Sequence, residues 1–231
     1  MRKLYCLLLA VIFISFSAQA QFIEKGRHLL GGSLGINFST VDDSTDNGGN
    51  RLKTRNFSFS LSPSYGKAIK PNLVFGYYLS LGVSSARNED ERTANVGKST
   101  GYQAGGGVFV EKFFPLSSKL AFSGRLSGGL GYSSFTGKNY FNAVLAQTNK
   151  SNNFTAGVSV APALSYKVSQ KFLIDVYAND FIGLSFIRGT TETSVPNANT
   201  VKTYHTNFNA STMLNYGKAL SNISFSFRYI F

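Results

Sequence analysis

The sequence predicts an all-β fold, an antiparallel up-and-down transmembrane β-barrel, with eight strands as the leading count and ten as the alternative. Three observations carry this reading. Bulky apolar residues recur at every second position in eight separate segments, and the opposite phase of those segments holds mostly Ser, Gly and Ala. Short and long connections then alternate along the chain. Successive side chains of a strand point to opposite faces, so a period of two is a strand signal; no segment holds a convincing 3.6-residue stripe.

Composition excludes several classes. The 231 residues include 23 Gly, 21 Phe, 12 Tyr, no Trp and one Cys, and only 15% are charged. Gly is not periodic, Cys is unpaired and bulky residues abound, so collagen-like, disulfide-rich and disordered chains are excluded. No apolar run after residue 20 is long enough for a helical span. Residues 1–20 read as a secretory signal: Arg2 and Lys3 are charged, Leu4 to Phe16 is a short apolar stretch, and Ala18-Gln19-Ala20 is a small-x-small cleavage site. The expected organisation is a signal peptide over 1–20 and one barrel domain over 21–231. Cys6 leaves with the leader, so thiol chemistry and thiolate metal sites are excluded from the mature chain. Loss of Arg2 and Lys3 lowers the formal charge from +12 to +10.

The strands follow in order. Leu30, Leu34, Ile36 and Phe38 form the first apolar face; Phe57, Phe59, Leu61 and Tyr65 the second; Leu73, Phe75, Tyr77, Leu79, Leu81 and Val83 the third. Tyr102, Val108 and Val110 come next, then Leu120, Phe122, Leu126, Leu130 and Tyr132, then Phe154, Val158, Val160, Leu164 and Tyr166. Phe172, Ile174 and Val176 precede the final set, Ile223, Phe225, Phe227, Tyr229 and Phe231. The opposite phase carries four charges, Glu111, Arg125, Asp175 and Arg228. A soluble sandwich needs a charged outer face, and this small, weakly charged face serves poorly. The inverse arrangement fits better, with bulky residues toward lipid and small polar ones filling a narrow bore.

Short basic turns are expected at 66–72, 115–119 and 167–171, and long polar loops at 41–53, 87–98, 136–152 and about 187–202. Short periplasmic turns with longer external loops are the outer-membrane pattern. Pro63, Val110 and Pro162 each stand ten residues before the next apolar start, at Leu73, Leu120 and Phe172, which suggests a repeated hairpin. Residues 203–216 also alternate and are assigned to an extension of the last hairpin above the membrane. Asp180 falls on the lipid-facing phase, so an irregularity is expected near Asn179 and Asp180.

The last strand, Ile223-Ser224-Phe225-Ser226-Phe227-Arg228-Tyr229-Ile230-Phe231, resembles the C-terminal signal of outer-membrane β-barrel proteins, in which Phe227, Tyr229 and Phe231 would be read by the barrel-assembly machinery. Leu61-Ser62-Pro63-Ser64-Tyr65-Gly66 with Asn72-Leu73-Val74-Phe75-Gly76, and Val160-Ala161-Pro162-Ala163-Leu164-Ser165-Tyr166, are similar to the porin-like outer-membrane β-barrel domain family, akin to the OmpA transmembrane domain and to OmpX. That resemblance implies an eight-stranded barrel in the bacterial outer membrane and lends no catalytic residues.

The candidate chemistry is limited. Glu111, Arg125, Asp175 and Arg228 share the inward phase and should pair, because unpaired charges in a narrow bore are costly. A lumen plugged in this way predicts little or no conductance; a narrow path for small solutes is the alternative. His28 and His205 are the only histidines. An outer-membrane enzyme acting on envelope lipids would need a base beside a nucleophile, and Asp180 near His205 is the one pairing that could supply it. The expectation is a non-enzymatic protein without cofactor or metal. Asp42, Asp43, Asp46, Asn47, Gly48, Gly49 and Asn50 resemble a calcium loop in composition but lack its ordered spacing. Lys67, Lys70, Lys119, Lys167 and Lys171 fall in or beside the short turns and Lys138, Lys150 and Lys202 in the long loops, which points to outer-membrane lipids and lipopolysaccharide rather than nucleic acid. A structural or surface-interaction role of a monomer is the leading expectation.

Overall fold

The computed structural model describes residues 21–44, 51–90, 95–142, 144–178, 181–212 and 223–231. Among these residues ten strands appear in chain order: β1 His28–Ser44, β2 Arg51–Lys70, β3 Leu73–Asp90, β4 Asn95–Pro115, β5 Leu120–Phe141, β6 Val144–Lys167, β7 Phe172–Ala178, β8 Ile182–Ser194, β9 Val201–Thr212 and β10 Ile223–Ile230. Each of β1 to β6 pairs antiparallel with the next. The ring closes through β7 and β10, since β6 pairs with β7, β7 with β10 and β10 with β1. Eight strands therefore close the barrel. The two further segments lie above β7 and β10: β6 pairs with β7 over Ala163–Lys167 and with β8 over Thr148–Val160, and β9 pairs with β8.

The placement of residues 203–216 wholly above the membrane is corrected by the register. Phe208 of β9 stands opposite Phe186, which stands opposite Ala156 of β6, and Ala210 stands opposite Leu184, which faces Val158. The lower part of β9 thus lies level with the apolar belt; residues 213–216, Asn179 and Asp180 lie outside the described residues. The expected long loops are also shorter than the alternation of polar residues suggested. Residues 136–141 and 144–152 are the upper ends of β5 and β6, with Asn142 after β5 taking φ 48°, and the described residues of the other two ranges, 87–90 with 95–98 and 41–44 with 51–53, are strand. Polar residues on both phases of a strand are what a sheet needs once it leaves lipid for water. Asp42 belongs to β1, opposite Lys53; Asp46 to Asn50 lie outside the described residues.

The outer face carries the predicted belt. Leu34, Ile36, Leu61, Leu79, Leu81, Leu126, Leu130, Val158, Leu164 and Phe227 all point away from the bore and are exposed. A continuous apolar surface of this extent is untenable in water and matches hydrocarbon. At one end of the barrel, Phe172, Tyr229, Phe231 and His28 form a chain of ring contacts at 5.1–5.9 Å, with His28 also against Tyr65. This is the interfacial girdle such barrels place at the membrane edge. At the opposite end, Lys202 Nζ donates to Glu192 Oε1 at 2.8 Å. That hydrogen bond holds the Glu192 carboxyl below the usual carboxylate range and the Lys202 ammonium above its usual value.

The inner face departs from the expected small polar filling. At the turn end it is apolar: Leu29, Ala68, Val74, Phe109, Phe113, Ala121, Leu173 and Ile230 form one buried cluster inside the barrel. Glycine makes room for the largest of them. Gly66 stands opposite Gly76, and Gly76 opposite Phe109; a Cβ at Gly76 would lie 2.6 Å from the Phe109 ring tip and 2.7 Å from Gly66 Cα. Gly76→Val should therefore lower stability by about 1–3 kcal/mol through overpacking. Gly124→Val, where an added Cβ meets nothing within 4 Å, should leave it nearly unchanged. Urea unfolding in lipid vesicles checks the difference between the two.

Candidate functional site

Above the apolar cluster, the four inward charges form one layer across the bore. Pairing puts Glu111 of β4 opposite Arg125 of β5, and Arg228 of β10 opposite Gly31 of β1. An added Cβ at Gly31 would lie 2.6 Å from Arg228 Cγ and 2.7 Å from its Cα, so only glycine admits that arginine against β1. Arg228 then reaches Asp175 on the neighbouring β7 and Glu111 across the lumen. Its Nε and Nη2 each donate to Asp175 at 2.6 Å, a two-point clamp, and its Nη1 donates to Glu111 Oε2 at 2.7 Å. Arg125 Nη2 donates to the same Oε2 at 2.9 Å. Ser123 Oγ and Tyr177 OH donate to Oε1 at 3.0 and 2.9 Å.

Glu111 and Asp175 are fully buried, Arg228 is 2% exposed and Arg125 18%. Two acids and two bases make the layer formally neutral, and each carboxylate meets at least one guanidinium donor. A buried charge layer is tolerated only under those conditions. Aromatic faces complete it: the Arg125 guanidinium lies 4.2 Å from the Phe109 ring centroid and 4.7 Å from that of Tyr177, and Arg228 lies 5.2 Å from Phe113. Delocalised guanidinium planes bind both carboxylates and ring faces, which lysine could not do in the same space.

Below this layer the chain closes its own barrel. Phe22 and Ile23, which precede β1, are 2% and 1% exposed and belong to the inner apolar cluster. Phe22 packs against Phe113 with ring centroids 5.6 Å apart, under the Lys167 ammonium at 4.6 Å. The segment is tied to the β2–β3 turn. Ile23 N donates to Asn72 Oδ1 at 2.8 Å, and Asn72 N donates back to Ile23 O at 2.9 Å. Asn72 adopts φ 60°, a left-handed turn position that Asn accepts with least penalty after Gly.

Above the layer, the bore opens into a cavity of about 430 Å³. Tyr78, Ser80, Gln103, Ser127, Thr155 and Ser159 are among the residues lining it, and Ser127 Oγ and Ser159 Oγ are 2.9 Å apart. Nearer the outer rim, His205 Nε2 is 2.9 Å from Asn153 Oδ1. His28, the other histidine, belongs to the outer girdle, with Nδ1 bonded to Tyr65 OH. Asp180 lies outside the described residues, so the pairing with His205 considered from sequence has a described partner for His205 only in the Asn153 amide. Among the described residues, no group of three or more His, Cys, Asp and Glu could hold a metal ion.

All four charges named from sequence meet in one layer, whereas Phe22, Ile23, Ser123, Tyr177, Phe109 and Phe113 were missed. A signal existed for several of them. Phe109 and Phe113 flank Glu111 two positions away, Leu173 and Tyr177 flank Asp175, and Ile230 follows Arg228. Bulky residues on the phase of the charges mark the height at which the bore is packed. Phe227 and Phe231, from the proposed assembly signal, are exposed on the outer face, and Tyr229 is half-buried in the girdle.

No family model matches the chain, and no curated protein does. Among solved structures, the chain is similar to a major outer membrane protein from Thermus thermophilus, at 13% identity over 88% of this chain and 99% of that one, with a TM-score of 0.46. It is similar to the outer membrane protein OprG from Pseudomonas aeruginosa, at 12% identity over 92% and 99%, with a TM-score of 0.45. It is also similar to E. coli Outer Membrane Protein W, at 14% identity over 90% and 99%, with a TM-score of 0.35.

The layer predicts an order of sensitivity. Glu111→Ala leaves two guanidinium groups with Asp175 alone and should cost about 3–5 kcal/mol. Arg125→Ala should cost less, because Arg125 is only partly buried and Glu111 keeps Arg228, Ser123 and Tyr177. Denaturant unfolding in vesicles measures both; an equal or inverted order would contradict the central place given to Glu111.

Proposed function

We propose that this chain is a small bacterial outer-membrane β-barrel protein, delivered by a leader cleaved near Ala20, with a structural or surface-interaction role rather than a transport or enzymatic one. The closed bore is the observation that supports the reading. A path along the axis would have to cross a neutral, fully paired charge layer and the apolar cluster beneath it, which Phe22 and Ile23 cap from the turn end. An eight-stranded barrel leaves room for side chains but not for a wide channel, and here aromatic and guanidinium groups fill it. The cavity above the layer is a dead-ended cup.

The residues that a lipid-modifying enzyme would need support the same reading. His205 faces an amide oxygen, and His28 sits among aromatic rings of the outer girdle. The reading needs no cofactor. Its partners are the lipids around the belt and, during assembly, the machinery that would read Phe227, Tyr229 and Phe231; the working unit is a monomer.

Purified protein in planar bilayers should give no stable conductance steps, with the wild-type chain and with the Phe22→Ala/Ile23→Ala variant alike, because the charge layer remains in both. Large, stable steps from the wild-type protein would overturn the closed-bore reading.

A further inference from the structure

Four cations stand directly opposite one another on four adjacent strands. Arg55 of β2 faces Arg87 of β3, Arg87 faces Lys98 of β4, and Lys98 faces Lys138 of β5. Each lies on the outward phase of its strand, shared with Phe57, Val83, Tyr102 and Tyr132 respectively, and all four are exposed. Like charges directly opposite one another weaken a sheet, so the row has no value to the fold itself. The next outward step along the same strands behaves differently. There Asp42 faces Lys53 and Lys53 faces Glu89, the alternating signs of an ordinary water-facing surface. Glu89 bridges back to Arg87, which leaves Arg55, Lys98 and Lys138 as a positive surplus among the described residues of the row.

The row also has a defined height. Arg55 is the first outward residue beyond Phe57, Arg87 and Lys98 are the second beyond Val83 and Tyr102, and Lys138 is the third beyond Tyr132. Each such step rises roughly 5 Å along a tilted strand. The four therefore sit about 5–15 Å above the apolar belt, from the headgroup layer of a bilayer outward. Between cations and belt lies a rung of hydroxyls, since Ser85 faces Thr100 and Thr100 faces Thr136. Reading outward, one patch of the barrel presents an apolar surface, then hydroxyls, then cations.

That order matches one class of occupant. Three interstrand spacings of ~4.8 Å make the row about 14 Å long, more than one phosphate between two cations would fill. The hydroxyl rung suits sugar hydroxyls, and the belt suits acyl chains. We propose that this face binds an outer-leaflet glycolipid bearing at least two phosphates, held by Arg55, Arg87, Lys98 and Lys138, with its sugars against Ser85, Thr100 and Thr136. The site gives the surface-interaction role a partner, and it rests on the outer-membrane reading above.

The test titrates the full mature chain in detergent micelles with diphosphoryl lipid A and with its enzymatically dephosphorylated form, scored by native mass spectrometry. The phosphorylated lipid should bind about tenfold tighter or more, with affinity falling as salt rises. R55Q/R87Q/K98Q/K138Q should lose about tenfold, whereas K67Q/K70Q/K119Q/K171Q, which removes as many cations at the turn end, should change binding by less than about twofold. Equal binding of the two lipids by the wild-type chain, or equal losses in the two variants, would overturn the proposal; the lipid comparison needs no variant to fold. Pyrophosphate or a DNA oligonucleotide that competes as well as the lipid would also overturn it, by making the row a general polyanion site. Heat-modifiable migration of the same samples checks the barrel separately, so a folded barrel indifferent to phosphate would defeat only this inference.

Discussion

The contact between Arg228 and its two carboxylates organises the interior of this barrel. Arg228 comes from the last strand, Asp175 from its neighbour, and Glu111 from a strand on the far side of the ring. In a cavity with little water, none of these charges is tolerable alone, so the layer forms as a set or not at all. Because Arg228 must pass β1 to reach Glu111, the layer ties the closing strand pair to the middle of the sheet. Gly31 is the permissive element that lets the backbone of β1 approach the arginine.

The apolar cluster beneath the layer serves the same end by other means. Its aromatic rings lie over glycine-floored sections of the wall, as Phe109 does over Gly66 and Gly76, and its lower boundary is covered by residues 22 and 23. Burial of Phe22 and Ile23 fastens the chain just before β1, where the hydrogen bonds to Asn72 take over. Plug, apolar cluster and charge layer are stacked, so each excludes water from the next and strengthens the electrostatics of the layer above.

The outer surface divides the same strands into zones by height. Belt, girdle, hydroxyl rung and cation row are all made from the outward phase, and the change from one to the next follows the change of surrounding medium. The inward phase changes at different heights, from apolar to charged to hydroxyl-lined. Two independent sequences of environments are therefore written on alternate residues of each strand, and no strand can slip by one residue without exchanging them.

How much of this was legible in the linear chain depended on whether the controlling rule was local. Alternation in Phe57-Ser58-Phe59-Ser60-Leu61 determines a strand with an apolar and a small face, because the period of two is a property of extended backbone alone. The inward phase of Glu111, Arg125, Asp175 and Arg228 followed from the same rule, and so did the need for partners. The plug formed by Phe22 and Ile23 did not, since nothing local distinguishes a buried pair before the first strand from an exposed one. Nor did the course of residues 203–212: alternation predicts a strand but not its neighbour, and pairing with β8 brought Phe208 down to the belt. The cation row had the same standing. Arg55, Arg87, Lys98 and Lys138 are scattered along 84 residues of sequence, and only the hydrogen-bonded register aligns them. By itself the sequence determined the period, the phase and the leading strand count; the tertiary structure decided which residues share a height, because register is set by pairing between strands and not within them.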